Sequence, residues 1–211
     1  MSDLLSLFPL PTAVLFPNVF LPLHIFEPRY REMVADALTS DRLIGMVLLR
    51  PGWEPEYDGR PAVYPVGCSG VITHVERLAG GRFNIVLRGL DRFRILDEDQ
   101  TRAYRRAEVE TLREPAVDVR DRPPLRALRQ RLEALIAPSM ERGGADVRTA
   151  PGMPDEDLVN TLSQYLELDP IERQALLEID GVLRRAEALI ELVEMKMLMA
   201  RTPGGPPKVS H

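Results

Sequence analysis

The hydrophobic rhythm of this chain changes once, near residue 115, and that change constrains its fold more than any other feature. Before it, apolar residues come in short runs or alternate with polar ones. Residues 4–10 end at a proline, and residues 13–16 and 19–23 are two further runs separated by Pro17 and Asn18. LIGMVLL at 43–49 is a near-continuous run, as in a strand buried on both faces. Residues 66–78 carry Val71, Ile72 and Val75 after Gly67 and Gly70, glycines of the kind that mark bulges in strands. Phe83, Ile85 and Leu87 alternate with their neighbours, and Gly80-Gly81 just before them suits a hairpin turn that needs positive φ. Phe93 and Ile95 against Arg92 and Arg94 predict another strand, and residues 104–112 one more. A single helix interrupts this half. Pro28 stands at its first turn, and Tyr30, Met33, Val34, Ala37 and Leu38 follow at helical spacing.

Beyond about residue 122 the spacing is helical throughout. Pro123-Pro124 open a helix whose stripe is Leu125, Leu128, Leu132, Leu135 and Ile136. Residues 138–153 read as a connection rich in proline and glycine. A second helix over 154–166 begins with three acidic residues, which suit the positive end of a helix dipole. Asp169, Pro170 and Glu172 form a capping-box sequence for a third helix, stopped by Asp180-Gly181. The fourth, from Val182 to about Ala200, carries Leu183, Ala186, Leu189, Ile190, Val193 and Met197 on one stripe. Short helices need partners for their apolar faces, so the last is expected to be the spine of a bundle. The reading is an α+β chain: a β domain over 1–115 with one helix, forming a bent sheet or small barrel; an antiparallel helical bundle over 116–200; and a disordered tail over 201–211.

Charge and composition exclude several functions. The formal net charge is -5, which disfavours a phosphate backbone on average. No apolar stretch approaches the roughly 20 residues of a membrane span. The proline-broken start MSDLLSLFPLP is no secretion signal, so a cytoplasmic protein is expected. One cysteine, Cys68, rules out an intramolecular disulfide and any zinc site needing two thiolates. Two lysines, Lys196 and Lys208, leave 27 − 2 = 25 arginines. Neither lysine stands in a glycine-rich loop before Ser or Thr, so P-loop nucleotide hydrolysis is excluded. Lys196 has no serine beside it, and Lys208 falls in the tail, which leaves no Ser–Lys dyad. The histidines are His24, His74 and the terminal His211. His24, in an apolar run, reads as a structural hydrogen-bonding group. Cys68 and His74 are the one imaginable nucleophile–base pair, set against a reading of Cys68 as a small buried residue. No metal, cofactor or catalytic residue is expected.

Two groups can serve binding. The loop PGWEPEYDGRPAVYP at 51–65 holds Trp53, Tyr57 and Tyr64, aromatics that either anchor a partner or fold back as a lid over the core. Arginines 82, 88, 92, 94, 102, 105 and 106 either form a patch for acidic peptide or nucleic acid, or make the solvated face of a strand balanced by Asp91, Asp97, Glu98 and Asp99.

Two stretches carry a resemblance when taken together. The first, residues 7–38, contains Phe8-Pro9-Leu10, Leu15-Phe16-Pro17, Leu21-Pro22-Leu23 and Phe26-Glu27-Pro28-Arg29-Tyr30. The second, residues 66–96, contains Val66-Gly67 and Gly89-Leu90-Asp91-Arg92-Phe93 before Arg94-Ile95-Leu96. In order and spacing they resemble the amino-terminal domain family of Lon-type proteases, especially its small stand-alone bacterial members. The helical half is similar only in architecture. The resemblance implies a PUA-like six-stranded β-barrel followed by a helical bundle, and a part in recognising damaged or unfolded polypeptides. It supplies no catalytic residues. The chain ends where an ATPase would begin, so a non-catalytic module is expected, its partner an unfolded polypeptide or another protein. An RNA-binding PUA-like protein and a hydrolase using Cys68 and His74 are the alternatives. The oligomeric state is open.

Overall fold

The computed structural model describes residues 4–57, 59–141 and 152–201. Six strands and five α-helices follow one another along the chain: β1 (Leu5–Leu10), β2 (Phe20–Ile25), α1 (Pro28–Leu38), β3 (Leu43–Leu48), β4 (Val66–Arg77), β5 (Phe83–Asp99), β6 (Arg105–Leu112), α2 (Arg122–Glu141), α3 (Asp155–Tyr165), α4 (Pro170–Glu178) and α5 (Val182–Arg201). The expected connection over 138–153 begins later than its composition suggests, because α2 runs on to Glu141; residues 142–151 and 202–211, and with them most of the expected tail, lie outside the described residues.

The sheet is mixed. β1 pairs in parallel with β3, and every other pairing is antiparallel. Its order is β2-β5-β4-β3-β1-β6, and a further pairing of β5 with β6 brings the ladder back on itself. The length of β5 makes this closure possible. Two strands were expected over 83–95, but residues 83–99 form one strand of 17 residues. Its first half pairs with β2 and its second half with β6, while β4 lies along most of its other edge. The Gly89-Leu90-Asp91 stretch does not turn, because its backbone is engaged from outside the strand. Gly89 accepts from the Asn18 amide at 3.0 Å and donates to the Val19 carbonyl at 2.9 Å. A Cβ on Gly89 would stand 2.0 Å from the Phe16 carbonyl oxygen, so only glycine lets the β1–β2 loop cross here. The expected glycine hairpin is present: Gly80 and Gly81 have φ of 76° and 72° between β4 and β5. A bulge falls between Cys68 and Gly70.

α1 buries Tyr30, Met33, Val34 and Ala37, the stripe predicted by its spacing. The capping box of α4 forms, with the Asp169 amide donating to Glu172 Oε2 at 2.7 Å. α5 touches α2, α3 and α4. One contiguous core joins the two halves: Phe8, Phe16 and Leu87 belong to the same buried cluster as Leu132, Leu162 and Leu189.

Polar groups fix the helices on the sheet. From α3, Gln164 accepts from the Phe16 amide at 3.0 Å and donates to the Phe20 carbonyl at 3.0 Å, and Asn160 donates to the Pro17 carbonyl at 3.1 Å. From α4, Gln174 donates to the Val66 carbonyl at 2.9 Å. Arg92 lies neither on a basic patch nor on a solvated face: it is 1% exposed. Its guanidinium donates to the Leu177 carbonyl at 3.1 Å and pairs with Asp180 at 2.5 Å. Arg185, fully buried on α5, pairs with Glu114 at 3.0 Å and donates to Asn160 at 2.7 Å. Burial holds the Arg185 guanidinium below its ordinary pKa, and Glu114 opposes that shift. A second contact of Glu114, 3.5 Å from Arg92, makes one carboxylate serve two buried cations.

Candidate functional site

The 51–65 loop is closed at its base by backbone. Arg50 donates to the Ala62 carbonyl at 2.8 Å, and Tyr64 donates to the Leu48 carbonyl at 2.9 Å. Its tip, stiffened by a single 3₁₀ turn at Glu54–Glu56, lies against the start of α1. The Tyr57 hydroxyl donates to Glu27 Oε1 at 2.5 Å, and Arg29 donates to the Tyr57 carbonyl at 3.1 Å. Arg29 also pairs with Glu27 at 3.0 Å, and its guanidinium stands 4.7 Å from the Tyr30 ring centroid and 5.1 Å from that of Tyr57. Burial, reinforced by the hydrogen bond to Glu27, raises the Tyr57 phenol above its ordinary pKa. Tyr57 is therefore a neutral donor holding the loop to the helix.

The three aromatic candidates separate. Trp53 meets Tyr57 edge to face, with centroids 5.3 Å apart. Tyr64 packs half-buried against the main core, with Arg50 5.5 Å from its ring centroid.

Two cavities open on either side of Tyr57, and Tyr30 and Tyr57 line both. One, about 140 Å³, is mainly apolar, with Phe8, Leu10, Leu23 and Ile25 in its wall beside Phe26. Phe8 and Tyr30 touch there, centroids 4.5 Å apart, while Phe26 is 60% exposed to solvent. The other, about 200 Å³, is lined by four arginines, Arg29, Arg60, Arg102 and Arg105, together with Tyr104, Pro9 and Leu49. Phe26, Glu27 and Arg29 were legible as a helix opening but not as a binding site. The available signal was a charged pair directly after an aromatic that ends an apolar run. Nothing in sequence spacing brings Arg60, Arg102 and Arg105 to one cavity.

Cys68 and His74 are not brought together. The thiol is fully buried, points its hydrogen bond at the Ser69 carbonyl, and burial pushes its pKa up to about 12, the reverse of a nucleophile's need. His74 is exposed further along the same strand, roughly 20 Å away at the usual rise per residue. His24 stacks on Phe26 and lies 2.7 Å from Asn84 Oδ1, a structural contact of the expected kind. Lys196 pairs with Glu172 at 2.8 Å. That hydrogen bond raises its pKa, whereas a general-base lysine needs it lowered. No cluster of His, Cys, Asp and Glu able to hold a metal occurs among the described residues. No helix among them is long and apolar enough to cross a membrane.

The arginines that could have formed a basic patch are largely paired. Arg94 pairs with Glu110, Arg105 with Glu98, Arg106 with Asp99, and Arg102 with Glu32 and Asp36. The balance lies partly in Glu98 and Asp99, as expected, and partly in residues distant in sequence.

Comparison with known proteins agrees with this geometry. Residues 5–195 match the sequence profile described as the ATP-dependent protease La (LON) substrate-binding domain. The Lon protease of Paraburkholderia phytofirmans is 29% identical over 209 residues, covering 93% of this chain and 25% of that protein. That of Syntrophus aciditrophicus is 24% identical over 211 residues, covering 93% and 26%. The chain thus spans about a quarter of the length of these relatives. Among solved structures, the N-terminal domain of a Mycobacterium avium complex Lon protease superposes with a TM-score of 0.68 at 18% identity, covering 91% of this chain and 98% of that one. A Lon N-terminal domain protein from Xanthomonas campestris gives 0.59 at 22% identity, covering 95% and 99%. At these identities the structures speak for the fold.

Proposed function

This chain belongs to the family of ATP-dependent protease La (LON) substrate-binding domains, and from that premise we propose that it is a non-catalytic recognition module for unfolded or damaged polypeptides, an adaptor working in the cytoplasm. The observation that carries the reading is the pair of cavities flanking Tyr57, one of them apolar and edged by the exposed Phe26. An unfolded chain differs from a folded one in offering apolar side chains without partners, and a small apolar cavity beside an exposed aromatic can take one. Trp53 and Tyr57 are the candidate contacts, with Tyr64 supporting the base of their loop. The ladder that returns on itself supports a PUA-like barrel for the β half, and the contacts of α5 support a bundle for the rest. Burial of Cys68 and its distance from His74 speak against hydrolysis, and neutralisation of the arginines speaks against RNA.

The test is binding of a reduced, alkylated and therefore unfolded polypeptide to the full chain, read by fluorescence anisotropy. Trp53→Ser combined with Tyr57→Ser should weaken binding by about ten-fold or more, as for the loss of an aromatic anchor. Unchanged binding by a variant that still melts as a folded protein would remove these residues from the site.

A further inference from the structure

The second cavity has a chemistry that generic capture of apolar segments does not require. Four guanidinium groups line it, and no carboxylate does among the described residues. Their charges are not equal. Arg29 is paired with Glu27 at 3.0 Å, and Arg105 with Glu98 at 2.5 Å. Arg102 lies 3.6 Å from both Glu32 and Asp36. Arg60 is different: among the described residues its guanidinium donates to backbone alone, to the Asp99 carbonyl at 3.2 Å and the Arg102 carbonyl at 3.3 Å. These bonds fix the orientation of Arg60 without cancelling its charge. A guanidinium carries five N–H donors, so Arg60 keeps donors to spare.

Among the described residues the cavity therefore presents about one uncompensated positive charge amid several oriented donors. That balance matches a monoanion better than a phosphate dianion. Its volume, about 200 Å³, is below the roughly 300–1,000 Å³ of sites for drug-sized ligands and excludes a nucleotide. It is equivalent to about six or seven water molecules, enough for a carboxylate and one modest side chain. Pro9, Leu49 and the ring of Tyr30 supply an apolar wall for that side chain. The apolar cavity adjoins it across Tyr57, where a preceding side chain can lodge.

We propose that the arginine-lined cavity binds the free α-carboxylate at the C-terminal end of a polypeptide, with an apolar last residue, so that the module reads chain ends. Arg60 is the principal carboxylate contact. Arg102, at the rim and only loosely paired, is the second. This inference rests on the recognition of polypeptides proposed above.

The experiment uses the full chain and three N-terminally labelled decapeptides of one uncharged sequence ending in leucine, with affinities read by fluorescence anisotropy. The first ends in a free carboxylate, the second in a carboxamide, and the third is a carboxamide with aspartate at the penultimate position. The first should bind about ten-fold or more tightly than the second, as expected for a charge-assisted hydrogen bond made in a partly desolvated site. Arg60→Gln and Arg102→Gln should bring that ratio toward one, weakening the free-carboxylate peptide far more than the carboxamide. A purely structural loss would weaken both peptides alike. Three results overturn the inference: equal binding of the first two peptides, a third peptide that binds as well as the first, or a ratio unaltered by both substitutions. Failure of all three peptides while the alkylated unfolded protein still binds also overturns it, and leaves the recognition function standing. Failure of that protein as well sinks both.

Discussion

At the scale of single residues, buried charge decides more than exposed charge. Arg92 and Arg185 are enclosed between sheet and helices and share Glu114. Removing one member of a buried ionic cluster leaves the others uncompensated, which costs far more than the intact cluster contributes. Glu114→Ala should therefore destabilise the fold by about 3 kcal/mol, at the low end for such losses because the carboxylate keeps some contact with water. A fall in the urea midpoint at constant slope would show it. An unchanged midpoint would mean that solvent already carries those charges. Arg92 also shows where residue-level reading of the sequence stopped. In sequence it alternates with Phe93 and resembles Arg94, which is exposed and paired with Glu110. Its burial comes from α4 lying over the strand, with Leu177 and Asp180 supplying acceptors 85 and 88 residues away.

At the scale of elements, local signals were read well wherever the cause was local. The stripe of α1, the capping box of α4 and the positive φ of Gly80 and Gly81 each follow from a few adjacent residues. β5 could not be read that way. Its continuity past Gly89 depends on the β1–β2 loop, 71 residues earlier, occupying the backbone groups that a turn would otherwise use. Gly89→Ala puts a methyl group against the Phe16 carbonyl, in a place where backbone rather than a flexible side chain must move. We expect a loss of more than about 3 kcal/mol, with the damage centred on the loop. Amide exchange should show lost protection at Asn18 and Gly89 before that of β3 or β4. A stable variant with native exchange would show that the loop can shift freely.

At the scale of the molecule, the change of period near residue 115 separates types of element, while the core runs across it. Val14, Leu15 and Phe16 share a buried cluster with Leu158, Val159 and Leu162 of α3. We expect the 211-residue chain to unfold in a single urea transition, and residues 1–115 expressed alone to lack a cooperative transition, because they would expose that surface to water. Two separated transitions, or a cooperatively folding 1–115 fragment, would contradict this. The sequence by itself determined the class of fold, the order of its elements, most of their boundaries and the family, since these follow from periodicity, caps, turns and motif spacing acting over a few residues at a time. It also singled out Trp53, Tyr57 and Tyr64 on one loop as aromatics for either a partner or the core. Only the tertiary structure decided that this loop is pinned to Glu27 and Arg29, that Tyr64 belongs with the core, that Cys68 is sealed away from His74, and that Arg60, Arg102 and Arg105 meet Arg29 around one cavity. Each of these depends on groups far apart in the chain being held within a few ångströms. A one-dimensional pattern carries no measure of such distances; packing of the sheet, the loop and the helices sets them.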